Sequence, residues 1–388
     1  MKTNNWIQDQ IASHMRILRA FLFIIWFTCC GFATVFLQFV VTPLYLMSSY
    51  HYDECIAWTK ACFGCTLIAI TQCAFSCPIQ LSGDRTMRGQ LYVKAGKFRT
   101  RFPARILIIS NHQTSVDQFH MWWYAYANQM HGRFFIVLKE SFKYVPFLGI
   151  AMRFYGFVLM ARRWAVDKPR LEHRLKAIRN SQSPAWLLIF PEGTVFTPTS
   201  KQRSNEYGAK SGIRPLKHVI LPRSTGLFFC LRQLQGSVIW LYDCTIAYEG
   251  RPRGSFPGIY FTMRSIFMGG KSPTAIHMHW RCFKIADIPL QSQHIFEKWL
   301  VDRWAEKDHF LDEFFRTGCF PSELPSRFEA SNEPGQHEAL TPMVSLLVTH
   351  GRLSSSAKAE QTLMTLLGIS LWFGILYTGY GYYCGVRG

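Results

Sequence analysis

Hydrophobic and polar positions divide the chain into three zones. Residues 1–19 are polar, with Lys2, Arg16 and Arg19 against Asp9, and Ala20 to Met47 is then apolar and without a charge. That run exceeds the roughly 20 residues needed to cross a bilayer and is too long for a signal-peptide core. A polar turn, Ser48 to Glu54, leads into a second apolar run, Cys55 to Leu81, broken only by Lys60. Together they predict a membrane hairpin. In the middle zone the period changes. Short apolar runs at Leu91–Val93, Ile106–Ile109, Phe134–Leu138, Phe157–Met160, Trp186–Phe190, Val219–Leu221 and Val238–Tyr242 read as strands. Helical stretches such as Phe119–Tyr126, Pro169–Ile178 and Asn205–Ser211 lie between them. The alternation predicts an α/β fold, a sheet with flanking helices. Gln293–Phe315 reads as a charged amphipathic helix, and Ser322–Glu338 as a polar linker. Leu363 to Cys384 is again apolar: long enough to span, yet rich in the glycine and tyrosine of an interfacial or helix-packing segment. The expected divisions are an N-terminal anchor at 1–82, a folded domain at 83–320, a linker at 321–362 and a C-terminal hydrophobic segment at 363–388.

Charge and composition sharpen this picture. Charged residues make up only 17% of the 388, while the formal net charge is +19. Strong basicity points to nucleic acid or to an anionic membrane, and the apolar runs favour the membrane. Seven basic residues between Asp84 and Arg105 (Arg85, Arg88, Lys94, Lys97, Arg99, Arg101 and Arg105) follow the hairpin, whereas its turn carries Asp53 and Glu54. The positive-inside rule then places both ends of the hairpin in the cytosol. Full crossing and insertion into one leaflet both fit. Cys62-Phe-Gly-Cys65 has metal-like spacing but lacks a second pair nearby, so small packing cysteines are expected. His277-Met-His279 puts two imidazoles on one strand face without an evident third ligand, and no metal site is expected.

The chemistry gathers after the strand Ile106–Ile109, in Ser110-Asn-His-Gln-Thr-Ser-Val-Asp117. Ser110 and Asn111 stop the strand and suit an N-cap, which sets His112 and Asp117 where a strand hands over to a helix. Residues five apart in a regular helix point about 140° from each other. A His112–Asp117 contact therefore requires His112 in the turn before the helix. In that contact the imidazole is a general base whose other nitrogen can take a proton from a hydroxyl. A capping histidine with a solvated first-turn aspartate has the same spacing. A second loop, Pro191-Glu-Gly-Thr194, ends the strand Trp186–Phe190 and offers an acceptor, a hydroxyl and a glycine that permits close approach. An ordinary strand-ending turn also reads this way.

Taken together, Asn111-His-x4-Asp117 and Phe190-Pro-Glu-Gly-Thr194 resemble the glycerolipid acyltransferase family. Gly156-Phe-Val-Leu-Met-Ala-Arg162 is similar to its second block and Val219-Ile-Leu-Pro-Arg223 to its fourth. Thr199–Asn205, Leu221–Gly226, Asp243-Cys-Thr-Ile-Ala-Tyr248 and Trp299-x3-Arg303-Trp-x-Glu-Lys307 resemble the lysocardiolipin/lysophosphatidylinositol acyltransferase branch. Tyr248-Glu-Gly-x-Pro-Arg-Gly254 and His279-Trp-Arg281 are similar to its fungal members.

The resemblance implies an acyltransferase-type sheet and an acyl-CoA-dependent enzyme that acylates a free glycerol hydroxyl of an anionic lysophospholipid, with lysophosphatidylinositol as the expected acceptor. On the matching positions His112 is the base and Asp117 its carboxylate. Arg162 grips the phosphate, and Glu192, Gly193 and Thr194 bind the acceptor from the other side. Lys201, Arg203 and Arg223 are candidates for CoA or phosphate contacts. The expected partners are acyl-CoA, lysophospholipid and bilayer, with no nucleic acid and no cofactor beyond acyl-CoA as co-substrate. The expected location is the endoplasmic reticulum membrane, with the catalytic domain cytosolic. Two other readings share the scaffold: a 1-acyl-sn-glycerol-3-phosphate acyltransferase, and a lipid-binding membrane protein without catalysis.

Overall fold

The structure, a computed structural model, describes residues 2–74, 77–94, 97–320, 357–359 and 361–370. Helix α1 (Lys2–Val41), the single turn α2 (Leu44–Met47) and α3 (Ser49–Ala74) form the N-terminal hairpin. Strand β1 (Ile79–Gly83) follows, then a separate antiparallel ribbon of β2 (Leu91–Lys94) and β3 (Lys97–Thr100). Strands and helices then alternate: β4 (Arg105–Ser110) with α4 (Asp117–Ala127), β5 (Phe134–Lys139) with α5 (Leu148–Phe154), and β6 (Val158–Met160) with α6 (Trp164–Asn180). β7 (Ala185–Ile189) leads to α7 (Pro198–Ser211) and α8 (Ser224–Leu234). β8 (Trp240–Tyr248), the short α9 (Pro257–Tyr260) and α10 (Met263–Phe267), β9 (Ile276–Lys284) and α11 (Gln293–Thr317) complete the domain.

Seven strands make one sheet in the order β1-β9-β8-β4-β7-β5-β6, with β8 and β9 antiparallel and every other neighbouring pair parallel. Sequence alternation decides which helices cover which face. Ile106 and Ile108 of β4, with Trp186 and Leu188 of β7, pack toward α3, α4 and α5, while Leu107, Ile109, Leu187 and Ile189 pack toward α6, α8 and α11. Strands buried on both faces read as continuous apolar runs, which is why β4, β5 and β7 were legible. The α/β class with an N-terminal apolar hairpin holds.

The hairpin is more than an appendage. Phe21, Leu22, Ile24 and Ile25 leave an apolar stripe of α1 exposed, and α1 and α3 are each long and apolar enough to cross a membrane. Most of α3 is buried against the domain. Gly64 makes this possible: a Cβ there would lie 2.2 Å from the Trp122 indole nitrogen of α4. Lys60, the charge that interrupts the second apolar run, faces inward, its Nζ 3.4 Å from the Tyr155 carbonyl and 3.6 Å from the centre of the Phe135 ring. A charge placed so avoids lipid. Residues 361–370 are helical and lie along the hairpin, with Trp26 Nε1 donating to Thr365 Oγ1 at 2.9 Å and Gln361 Nε2 to Thr66 Oγ1 at 3.0 Å. The rest of the expected C-terminal segment, and residues 321–356 and 360 of the linker, lie outside the described residues.

Three expectations need correction. Val219–Leu221 is loop: it meets no strand edge, and the Leu221 N–H donates instead to Ser204 Oγ at 2.8 Å. The expected boundary after residue 82 cuts β1, which pairs with β9 from Ile79 onward. Asn111 is not an N-cap. Its side-chain amide bonds both backbone groups of Ile246, at 3.0 and 2.8 Å, and so prolongs the β4–β8 pairing past the strand end.

Candidate active site

Parallel pairing of β4 with β7 sets Ile109 beside Ile189, so the loops that begin at residues 111 and 190 emerge together at the carboxyl edge of the sheet. That register brings together motifs eighty residues apart. The Phe196 N–H donates to the His112 carbonyl at 2.8 Å, and the His112 ring stacks on Phe190 with centroids 4.2 Å apart.

Asn111 anchors the turn to β8, and α4 starts only at Asp117, so His112 lies in the non-helical segment that the contact requires. Its Nδ1 is 2.8 Å from Asp117 Oδ2. Asp117 is wholly buried and accepts three further bonds: from the Thr114 N–H at 3.1 Å, from Thr114 Oγ1 at 3.1 Å, and from Tyr248 Oη at 2.6 Å. A carboxylate held at four points cannot follow a moving imidazole, so it fixes the ring with Nδ1–H as donor and Nε2 as the proton-accepting nitrogen. The His112 side chain keeps 18% of its surface open. The alternative of a solvated first-turn aspartate is excluded by Asp117's burial. No local sequence signal marks Tyr248 or Thr114 as part of the site. Tyr248 stands in the block Asp243–Tyr248, where its offset of 131 residues from Asp117 hides the contact.

The Glu-Gly-Thr loop divides its residues between two sides. Gly193 is exposed at φ +69°, and its carbonyl accepts from Arg162 Nη2 at 2.5 Å. Arg162 itself adopts φ +62°, a conformation that costs a non-glycine residue of order 1–3 kcal/mol. The buried Asp167 carboxylate secures this turn by accepting from the N–H groups of Ala161 (2.7 Å) and Arg163 (2.9 Å). Arg223 reaches the loop from the N-cap position of α8: its N–H donates to the Pro191 carbonyl at 2.8 Å, and its Nε lies 3.8 Å from where a Gly193 Cβ would sit. Two guanidinium groups therefore flank Gly193, with Thr194 half-buried beside it.

Glu192 departs from expectation. It is 2% exposed and turns inward, where Oε1 accepts from Trp304 Nε1 of α11 at 3.0 Å. Burial pushes its carboxyl up to about 8, against the lowering effect of the Trp304 bond and the His112 backbone N–H. Below it, Asp243 of β8 is ion-paired with Arg281 at 2.8 Å and with Lys307 of α11, and Lys307 also donates to the Cys244 carbonyl at 2.7 Å. Burial alone would raise the Asp243 carboxyl, but these two cations hold it below the usual range. The Trp-x2-Lys pair of α11 thus joins that helix to the loop and to the sheet. The three candidates for phosphate contacts separate: Arg223 joins Gly193, Lys201 donates to the Lys217 carbonyl in a neighbouring pocket, and Arg203 stands exposed on α7.

An apolar cavity of about 500 Å³ opens beside the turn, lined by Ser115 and Phe119 on either side of Asp117, by Phe23 and Phe27 of α1, and by Leu67 of α3. Among the described residues no three His, Cys, Asp or Glu side chains form a metal-binding group. His277 instead pairs with Glu249 at 2.6 Å, and His279 with Ser82 at 3.0 Å.

Comparison with known proteins follows the same outline. The Acyltransferase family matches residues 90–248, and the Acyltransferase C-terminus family matches 265–349. An uncharacterized acyltransferase of Schizosaccharomyces pombe is 34% identical over 75% of this chain and 83% of its own. A 2-acyl-1-lysophosphatidylinositol acyltransferase of Saccharomyces cerevisiae is 30% identical over 74% of this chain and 82% of its own. The chain belongs to the glycerolipid acyltransferase family. It is also 29% identical to lysocardiolipin acyltransferase 1 of Danio rerio, over 77% of this chain and 70% of the relative. Within this acyltransferase the first family region ends at Tyr248, the residue that closes the His112–Asp117 network.

Proposed function

We propose that this acyltransferase uses acyl-CoA to acylate a free glycerol hydroxyl of an anionic lysophospholipid, with lysophosphatidylinositol as the acceptor. The observation that carries the reading is the His112–Asp117 pair, fixed at the mouth of an apolar cavity and beside two arginines. His112 Nε2 takes the proton of the hydroxyl as its oxygen attacks the thioester carbonyl, and Asp117 stabilises the imidazolium. The tetrahedral intermediate collapses with loss of the CoA thiolate, which takes the proton back from His112. No acyl-enzyme is needed. Arg162 and Arg223 bind the lipid phosphate by charge-assisted bonds at Gly193. An acyl chain fills the cavity between the hairpin and α4. Glu192 acts from behind, holding the loop through Trp304.

The acceptor preference draws on the names of the relatives and on Val195, which stands where an arginine follows Glu-Gly-Thr in many family members that use lysophosphatidic acid. The second guanidinium at Gly193 favours lysophosphatidic acid as the alternative acceptor, because it restores charge for a monoester. The location proposed is the endoplasmic reticulum membrane, and the basic run after the hairpin supports a cytosolic domain. The test offers labelled acyl-CoA and a panel of lysophospholipids to membranes containing the protein. Labelled phosphatidylinositol as main product supports the reading. Labelled phosphatidic acid replaces the acceptor, and no product without a lipid acyl donor refutes acyl-CoA dependence.

A further inference from the structure

A second pocket, of about 810 Å³, lies next to the reacting pair and shares no lining residue with the apolar cavity. Its size is that of a small-molecule site. Its walls are the loop after β8, the start of α7 and the last turn of α11. Two wall residues touch the catalytic turn directly: the Phe196 N–H donates to the His112 carbonyl, and Tyr248 Oη donates to Asp117.

The wall is basic, and much of that charge is uncommitted. Among the described residues Lys201, Arg251, Arg253 and Arg316 have no carboxylate partner. The fifth cation, Lys217, is paired with Asp312 at 2.5 Å, and the wall's Glu249 is taken by His277. Arg251 lies 4.6 Å from the Phe315 ring centre; its Nη1 donates to the Ser255 carbonyl, while its Nε is buried without a hydrogen-bond partner. Phe196 and Phe256 lie with centroids 5.0 Å apart, and Lys201 stands 5.9 Å from each. Several cations around aromatic faces recognise phosphates attached to a flat base. An anionic lipid head group has the phosphate but no base. One of its walls is the last turn of α11, a helix that packs on the sheet face opposite α3.

We infer that this pocket receives the 3′-phosphorylated ADP end of the acyl donor's CoA, with Arg251, Arg253, Arg316 and Lys201 on its phosphates. The inference rests on the acyl-CoA reading above and adds where the nucleotide binds. The two arms of the donor then straddle His112, the acyl chain in the apolar cavity and the nucleotide in the basic one.

The test uses the full chain in lipid nanodiscs and the double variant Arg253→Ala/Arg316→Ala, two exposed positions that bear on no packing. The variant should raise KM for oleoyl-CoA by at least about tenfold, the loss of one to two charge-assisted bonds. KM for the lysophospholipid should stay within about twofold. Wild-type preference for oleoyl-CoA over oleoyl-3′-dephospho-CoA should shrink in the variant. Adenosine 3′,5′-bisphosphate should inhibit wild type in competition with acyl-CoA. An unchanged acyl-CoA KM, a rise confined to the lysophospholipid KM, or no competition by the bisphosphate overturns the inference. A wild type that ignores acyl-CoA but accepts a lipid donor overturns the proposed function first, and the two failures are told apart by that one control.

Discussion

Replacing Glu192 by glutamine separates a buried support from a substrate ligand. The carboxyl sits at 2% exposure with its pKa raised from 4.5 to about 8 by burial. The folded state therefore holds a proton that the unfolded chain releases in the window from 4.5 to 8. A raised carboxyl contributes stability that is fully present below the unfolded pKa and is lost as pH rises through the folded one. At about 1.36 kcal/mol per pKa unit, the loss between pH 6 and pH 9 is about 3 kcal/mol. For a domain of this size that lowers the unfolding midpoint by roughly 6–12 °C. Glutamine cannot ionise, and its amide oxygen still accepts from Trp304 Nε1. Glu192→Gln should flatten the decline of Tm with pH, read by tryptophan fluorescence of the detergent-solubilised protein from pH 6 to 9. Its lysophospholipid KM should stay within about threefold of wild type, because the carboxyl faces α11 and not the cleft. Parallel Tm profiles for the two proteins, or a lysophospholipid KM raised far beyond that range, would refute the reasoning.

Other substitutions probe the cleft itself. His112→Ala should cut turnover by about 10²–10⁴-fold with membrane insertion unchanged, and near-normal turnover would sink the proton-transfer scheme. Tyr248→Phe removes one of four bonds to Asp117 and should destabilise the fold by about 1.5–3 kcal/mol. It also frees the carboxylate to move with the imidazole, so kcat should fall with little change in either KM; an unmoved kcat counts against the coupling. Val195→Arg should shift the kcat/KM ratio toward lysophosphatidic acid over lysophosphatidylinositol by about tenfold, the worth of one charge-assisted bond. An unmoved ratio means that Arg162 and Arg223 already satisfy a monoester.

Local chemistry is legible in the sequence, and distant chemistry is not. The runs Ile106–Ile109 and Trp186–Phe190 announce central strands because burial on both faces leaves no polar position. His112 and Asp117 are five residues apart, and the strand-to-helix turn supplies the geometry that joins them. Asn111 looked like a cap because its partner, the Ile246 backbone, stands 135 residues away on the neighbouring strand. Glu192 looked like a ligand for the same reason: Trp304, which turns it inward, is 112 residues distant. Val219–Leu221 is as apolar as a strand, but its burial comes from loop packing between α7 and α8, which periodicity cannot separate from a short strand. The sequence points to Arg162 as a phosphate ligand but not to its left-handed backbone, which no side-chain pattern reports.

The partition of α1 between outside and inside bears on how this protein can be handled. Phe21 and Leu22 point outward, while Phe23 and Phe27 of the same helix line the cavity, with Leu67 of α3 completing that side. Cutting the chain after residue 74 to obtain a water-soluble fragment would therefore open the apolar cavity along its length, whatever became of solubility. Such a fragment would keep the histidine and its carboxylate yet have lost two walls of the cavity proposed for the acyl chain.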